Sequence, residues 1–410
     1  MKYIWTIMAA VCALCMCGSA MAADGFLKIN GSKLMLNGRE YRAIGVNIPN
    51  LHTAYNGTWH HIKQIYGTPE KAKQAMIDAI IDAEKNHIAF VRFFAHPGYP
   101  SDNAQLYQPH REEYWHQMDE VVNLCRKHHV KLVPSLTCID SWQWCYGEKR
   151  QAILDPNSKT YKMSYGYIRE FVTRYKDDPT ILMWELTNEG MLGCDVDRQG
   201  EKGLPEECFA EKSQYRETLS REDSLTWDML TRIYQDQAAF IKGIDRNHPV
   251  TSGDASVRPE CTSRRETFPD CKYRTDTLAE WIGNNLASQP EPLDVYSYHM
   301  YGSINEKTSW EGHFNIPPME LYRSLIRATH AIQAPVFVGE FGQYQPSFDK
   351  DPDASYTRAF IDEMDKENVS LAALWVWHFP WQPENDVRGN THPLLIQRIA
   401  EFNAKYAKLK

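Results

Sequence analysis

Residues 181–190 read ILMWELTNEG. An apolar run from Ile181 to Trp184 ends on Glu185, and Asn188 and Glu189 follow directly beyond it. A short apolar run with an abrupt polar end reads as a buried strand. Apolar residues at helical spacing flank it, over 163–175 before and 224–244 after. A buried strand between two amphipathic helices belongs to a parallel sheet with helical crossovers. The same unit recurs in both directions. Strands are predicted at 42–46, 90–94, 131–136, 181–185, 250–252, 293–297, 336–339 and 372–375. Helices are predicted after Thr68-Pro69, through KAKQAMIDAIIDAEKNH, and over 114–128, 163–175, 224–244, 276–286, 319–332, 354–367 and 393–406. Thr68 is a capping residue and Pro69 suits the first helical turn. Eight strands alternating with eight helices predict an α/β fold, a closed (β/α)8 TIM barrel. An open doubly wound sheet is the alternative. It would bind a nucleotide through G-x-G-x-x-G or a P-loop, and the chain contains neither.

The chain has 410 residues, 43% hydrophobic and 24% charged, which excludes a disordered, collagenous or coiled-coil protein. Its formal net charge of -8 offers no basic stripe for phosphates, so no nucleic-acid partner is expected. The opening MKYIWTIMAAVCALCMCGSAMAAD has Lys2, an apolar stretch over 4–17 and the small-x-small pattern Ala20-Met21-Ala22. Residues 1–22 therefore read as a secretory signal peptide, and a secreted or periplasmic protein is expected. Cys17 before Gly18-Ser19 leaves a lipoprotein signal open, although Met16 is large for one. No later segment is apolar enough to span a membrane. With no linker or repeat, 24–410 is expected to be one monomeric catalytic domain. It opens with a β-hairpin marked by Asn30-Gly31 and Asn37-Gly38.

Of the 10 Cys, Cys12, Cys15 and Cys17 lie in the signal segment. Cys138 and Cys145, Cys194 and Cys208, and Cys261 and Cys271 are close in sequence, and an oxidising compartment would allow each pair to form a disulfide. The spacing does not fix their connectivity. Cys125, in VVNLC, reads as a buried thiol. Beyond the signal segment no Cys-x-x-Cys or His-x-x-x-His spacing suggests a metal site, and none is expected.

In a barrel, the chemistry sits at the C-terminal ends of the strands. Strand two ends on Arg92. Strand four ends on Asn188 and Glu189. Strand six runs into His299 and Tyr301, strand seven ends on Glu340, and strand eight runs into Trp377. Glu189 and Glu340 thus face one mouth from apolar strands. Each alone would be explained by a buried ion pair with Arg92 or His299. Together, they suit glycoside hydrolysis, in which one carboxylic acid protonates the leaving oxygen and one carboxylate attacks the anomeric carbon. A separation of ~5–5.5 Å gives retention, and ~6.5–9.5 Å gives inversion.

WELTNEG at strand four and VFVGEFG at strand seven make the chain resemble glycoside hydrolase family 5, over the whole mature length. The resemblance implies a retaining mechanism without a cofactor. Glu189 would be the acid/base and Glu340 the nucleophile. Arg92 would keep Glu340 ionised, Tyr301 would orient it, and Asn188 would bind the sugar 2-hydroxyl. His299 would support the acid/base, and Trp377 would floor the subsite of the sugar being cleaved. The acid role also requires a raised pKa at Glu189, expected from desolvation and the charge of Glu340. Within the family, WEL-x-NE and the opening strand pair are most like the β-mannanase branch. This implies an endo-β-1,4-mannanase acting on a β-linked oligo- or polysaccharide. Cellulases, β-glucanases and exo-acting β-mannosidases or β-glucosidases share the same catalytic set. A non-catalytic carbohydrate-binding barrel is the rival from another class, favoured only if a glutamate were missing. Two departures stand out. The family's histidine after strand three is not evident in VPSLTCIDSWQWC, so that His110, His116 or another group replaces it or that support is missing, and Gly190 follows Asn-Glu where Pro is common.

Aromatics in the predicted mouth loops, Trp59, Trp142, Trp144, Trp227, Trp310 and Trp381, could stack on sugars or simply pack long loops. Trp142 and Trp144 lie between Cys138 and Cys145, which makes that loop a candidate rim. The polar insert 191–223 follows strand four and is expected to wall off one end of a cleft, favouring exo action or short oligosaccharides.

Overall fold

The computed structural model describes residues 25–97, 106–138, 142–203, 215–303, 306, 307, 309, 312–344 and 346–407. The signal-peptide segment 1–22, Cys208 and Trp310 lie outside the described residues.

Strands β1 (Leu27–Asn30), β2 (Lys33–Leu36) and β3 (Arg39–Glu40) form an antiparallel meander. Leu27, Leu34 and Tyr41 pack in one buried cluster with Ala43, Phe90, Val133, Phe337 and Leu371. The meander thereby plugs the N-terminal end of the barrel, which explains why the opening residues alternate. The barrel strands are β4 (Ala43–Asn47), β5 (Phe90–Phe94), β6 (Lys131–Ser135), β7 (Trp184–Glu185), β8 (Val250–Thr251), β9 (Tyr296–Gly302), β10 (Val336–Gln343) and β11 (Leu371–Leu374). They form one parallel sheet in the order β8-β7-β6-β5-β4-β11-β10-β9, and a Thr251–Val295 bridge links its two ends. The strands read as apolar runs because they are covered on both faces.

The outer layer consists of α1 (Pro69–Lys85), α2 (Arg111–Lys127), α3 (Lys159–Tyr175), α4 (Trp227–Ile244), α5 (Leu278–Ala287), α6 (Pro318–Ala331), α7 (Ser355–Lys366) and α8 (Pro393–Tyr406). As predicted, Thr68 caps α1, accepting from the Lys71 N–H at 3.3 Å. Ala72, Met76, Ala79, Ile80 and Ala83 form the buried face of α1.

Two strands extend beyond their predicted ends. The apolar runs at 293–297 and 336–339 pair on through polar residues, because β9 and β10 continue their backbone ladder to Gly302 and Gln343. An irregularity between Val338 and Glu340 sets Glu340 opposite His299 and Gly342 opposite Tyr301. Gly339 makes this possible, since a Cβ there would lie 2.9 Å from His299 Nε2.

Among the described residues no disulfide forms. Cys261 is buried at the start of a short helix, whereas the Cys271 thiol turns to the Asp195 carbonyl at 3.1 Å. Cys145 is buried in the core and Cys138 is half-buried beyond β6. Cys194 and Cys125 are buried thiols.

Candidate active site

The strand ends bring together six of the predicted side chains: Arg92, Asn188, Glu189, His299, Tyr301 and Glu340. Arg92, fully buried on β5, is the hub. Its Nη1 donates to Glu340 Oε1 at 3.0 Å and to Asn47 Oδ1 at 3.0 Å, and its Nη2 donates to Asn188 Oδ1 at 2.7 Å. Its Nε reaches both oxygens of Glu185, at 2.8 and 2.9 Å. Burial works against the charge of Arg92, but Glu185 and Glu340 more than restore it, and its pKa lies above the usual guanidinium value.

Glu340 is held on both oxygens. Arg92 binds one, and the Tyr301 hydroxyl donates to the other at 2.5 Å. Burial and then the charge of Glu340 push the Tyr301 phenol well above its ordinary range. Tyr301 therefore stays protonated and remains a donor.

Glu189 is differently placed. It stands in the left-handed region at φ 52°, just past β7, with 35% of its side chain exposed against 6% for Glu340. His299 Nδ1 lies 2.8 Å from Glu189 Oε1 and 3.5 Å from Glu340 Oε2. The expected pKa direction is corrected. Burial raises the Glu189 carboxyl, but the His299 hydrogen bond and the charges of His299, Arg92 and Arg258 outweigh it, and the carboxyl lies below its usual value. His299 and Glu189 thus form one hydrogen-bonded pair at the mouth.

Single ligand atoms of Glu189, His299 and Glu340 all lie within 4.8 Å of one another. This is well short of the ~6.5–9.5 Å that an inverting pair leaves for water. Both Glu340 oxygens are committed to Arg92 and Tyr301, so the donor set suits an organic substrate better than a metal ion.

Pro49, Trp59, His61, His96, Arg258, Trp375 and Trp381 are among the residues lining a cavity of about 830 Å³ over Asn188 and Glu189. Trp381, predicted as a subsite aromatic, is 39% exposed and stacks on His61 at 3.6 Å between ring centroids. Trp377 is corrected. Its indole is fully buried behind the barrel wall, where Nε1 donates to the Ala79 carbonyl of α1 at 3.1 Å. Trp375, two residues earlier, lines the cavity instead. Trp144 is corrected as well: it is buried beneath the Arg216 guanidinium, 5.2 Å from the ring centroid. Trp142 begins a short helix, and its side chain is not among those described. The substitutes offered for the strand-three histidine do not reach the site. His110 precedes α2, and His116 is an exposed side chain on that helix, 4.0 Å from Glu120. His96 after β5 and Thr137 after β6 line the cavity at this side.

The sequence reading missed Glu185, Trp375, His96, Arg258 and Asp254. Glu185 alone carried a signal, a carboxylate inside an apolar strand.

A parallel barrel whose mouth holds two carboxylates this close, one clamped by Arg and Tyr and the other paired with His, defines a retaining glycoside hydrolase. Comparison with known proteins agrees. Residues 45–379 match the family model described as Cellulase (glycosyl hydrolase family 5), and the chain belongs to that family. It is 25% identical to mannan endo-1,4-beta-mannosidase 7 of Oryza sativa subsp. japonica, over 66% of this chain and 70% of that one. It is 23% identical to mannan endo-1,4-beta-mannosidase 2 of Arabidopsis thaliana, over 86% and 78%. Among solved structures it resembles the endo-1,4-beta-mannanase of Rhizomucor miehei (TM-score 0.58, 16% identity, 93% and 99% coverage). It also resembles the beta-1,4-mannanase of the sea hare Aplysia kurodai (TM-score 0.55, 17% identity, 94% and 98% coverage). At these identities, the structural likeness speaks for the fold.

Proposed function

We propose that the protein is an exported endo-β-1,4-mannanase that works by double displacement, with Glu340 as nucleophile and Glu189 as acid/base. One observation carries the reading: the two carboxylates lie within 4.8 Å and have opposite surroundings. Glu340, ionised beside Arg92 and oriented by Tyr301, attacks the anomeric carbon. The proton shared by Glu189 and His299 passes to the leaving oxygen. Glu340 loses its charge in the glycosyl intermediate, and Glu189 then takes a proton from the incoming water. Asn188, fixed by Arg92, serves the 2-hydroxyl, and Trp375 takes the flooring role expected of Trp377.

Mannan as substrate is supported by the relatives in rice and Arabidopsis. A second reading is exo action. Leu192, Gly193, Val196 and Arg198 of the insert line the cavity, as a wall at one end would. Product analysis separates the two. The purified chain, with Glu340→Ala as control, is incubated with mannan, glucomannan and carboxymethylcellulose. A ladder of manno-oligosaccharides, lost in the control, is the expected result. Mannose alone from short oligomers would favour the exo reading, and glucan cleavage alone would overturn the substrate.

A further inference from the structure

Beyond β8 the chain runs Ser252-Gly253-Asp254, and the segment that carries the acid/base is laid along it. The Leu186 N–H donates to Thr251 O at 2.9 Å, Thr187 to Ser252 O at 3.0 Å, and Glu189 to Gly253 O at 3.1 Å. The next rung is different. The Met191 N–H donates to a side chain, Asp254 Oδ1, at 2.8 Å. Asp254 thus extends the ladder past the point where backbone pairing ends, across the turn in which Glu189 takes φ 52°. Gly253 allows the close approach: it has φ 80°, and a Cβ there would lie 1.8 Å from Thr187 O.

Asp254 has no solvent exposure, and its Oδ2 has no hydrogen-bond partner. Four titratable groups surround it. Tyr234 faces it from α4, His299 from β9, Glu189 from the turn after β7, and the Cys194 thiol from the insert. A buried charge here acts on Glu189 and His299 through a dry, low-dielectric interior.

We propose that Asp254 is a positioning residue for the acid/base. It fixes the turn that aims Glu189, and its negative charge strengthens the hold of the Glu189–His299 pair on their shared proton. This rests on the acid/base role of Glu189. Burial pushes the Asp254 carboxyl up to about 7, so its charge is present above neutrality and fades in acid. Removing that charge weakens the pair's hold on the proton, and the alkaline fall in activity then begins at lower pH.

The test uses the full chain with Asp254→Asn, which keeps an acceptor for Met191 but never ionises. kcat and KM are measured on mannohexaose from pH 5 to pH 8. The ratio of variant to parent kcat is expected to fall about three- to tenfold across that range, as a shift of half a unit to one unit requires. On 2,4-dinitrophenyl β-mannobioside, whose leaving group needs no proton, the ratio of kcat/KM, which reports the first displacement alone, is expected to stay flat. A ratio that is constant with pH, or that falls equally on both substrates, overturns the proposal. Asp254→Ala also removes the rung and is expected to lower kcat about tenfold with KM within twofold; unchanged kcat would overturn the positioning role. Glu189→Ala tests the underlying reading separately. It should spare kcat/KM on the dinitrophenyl substrate, lower kcat there because water has lost its base, and restore kcat with azide while yielding a β-glycosyl azide; failure there would remove the premise whatever the Asp254 variants do.

Discussion

His299 Nδ1 stands 2.8 Å from Glu189 Oε1, and this contact sets the direction in which the Glu189 carboxyl is shifted. Burial favours the neutral acid, while a donor on the carboxylate favours the anion, and here the donor wins. His299→Asn removes the ring charge and most of the reach. The Glu189 midpoint is then expected to rise, because burial is left to act with only Arg92 and Arg258 opposing it. Carbon-13 titration of carboxyl-labelled protein, with Glu189→Gln supplying the assignment, reads this directly. A midpoint that stays or falls would show that His299 does not control the proton.

The reversal at Glu189 shows where sequence reading stops. The barrel was legible because strands covered on both faces must be apolar and crossover helices must be amphipathic, so ILMWE and KAKQAMIDAIIDAEK each declare one layer. Glu189, Glu340, Arg92, His299 and Tyr301 were legible because strand ends in a barrel share one mouth. Which indole faces that mouth was not. Trp375 and Trp377 are two residues apart, and only the three-dimensional packing decides that Trp377 turns outward to the Ala79 carbonyl of α1. Asp254 gave no local signal either, because its role depends on Met191, far away in sequence.

The two tryptophans should separate cleanly. Trp375→Ala removes a cavity wall and is expected to raise KM for manno-oligosaccharides at least about tenfold with little loss of stability. Trp377→Ala hollows the layer between barrel and helix and should cost about 3–5 kcal/mol of stability. Urea unfolding and steady-state kinetics on both variants check the division. Equal effects on both measures would mean that the assignments are wrong.

Glu185 is the charge on which Arg92 rests. Both side chains are fully buried, and the Ser135 hydroxyl completes the shell at 2.5 Å. Glu185→Gln keeps the shape but leaves the guanidinium with Glu340 as its one anionic contact. Breaking one partner of a buried pair costs about 3–5 kcal/mol. A loss of that size in urea unfolding is expected, together with a lower kcat as Arg92 shifts toward Glu340. A variant as stable as the parent would show that Glu340 alone satisfies Arg92.

His52 should make the fold sensitive to acid independently of the active site. It is fully buried in the short helix Leu51–Tyr55, its ring meets Tyr114 edge-on at 4.9 Å, and its Nδ1 has no hydrogen-bond partner. Burial drives its pKa down to about 3. The unfolded chain therefore binds a proton below about pH 6.5 that the folded chain refuses, and stability falls with pH from there until about pH 3. One such group contributes up to about 1.4 kcal/mol per pH unit, or about 2 kcal/mol between pH 6.5 and pH 5. His52→Phe keeps an aromatic ring against Tyr114 and cannot take up the proton. Urea unfolding at pH 7.5 and pH 5 should show the variant losing about 2 kcal/mol less than the parent. Parallel losses would place the acid sensitivity elsewhere, in the carboxylate pairs around Arg92.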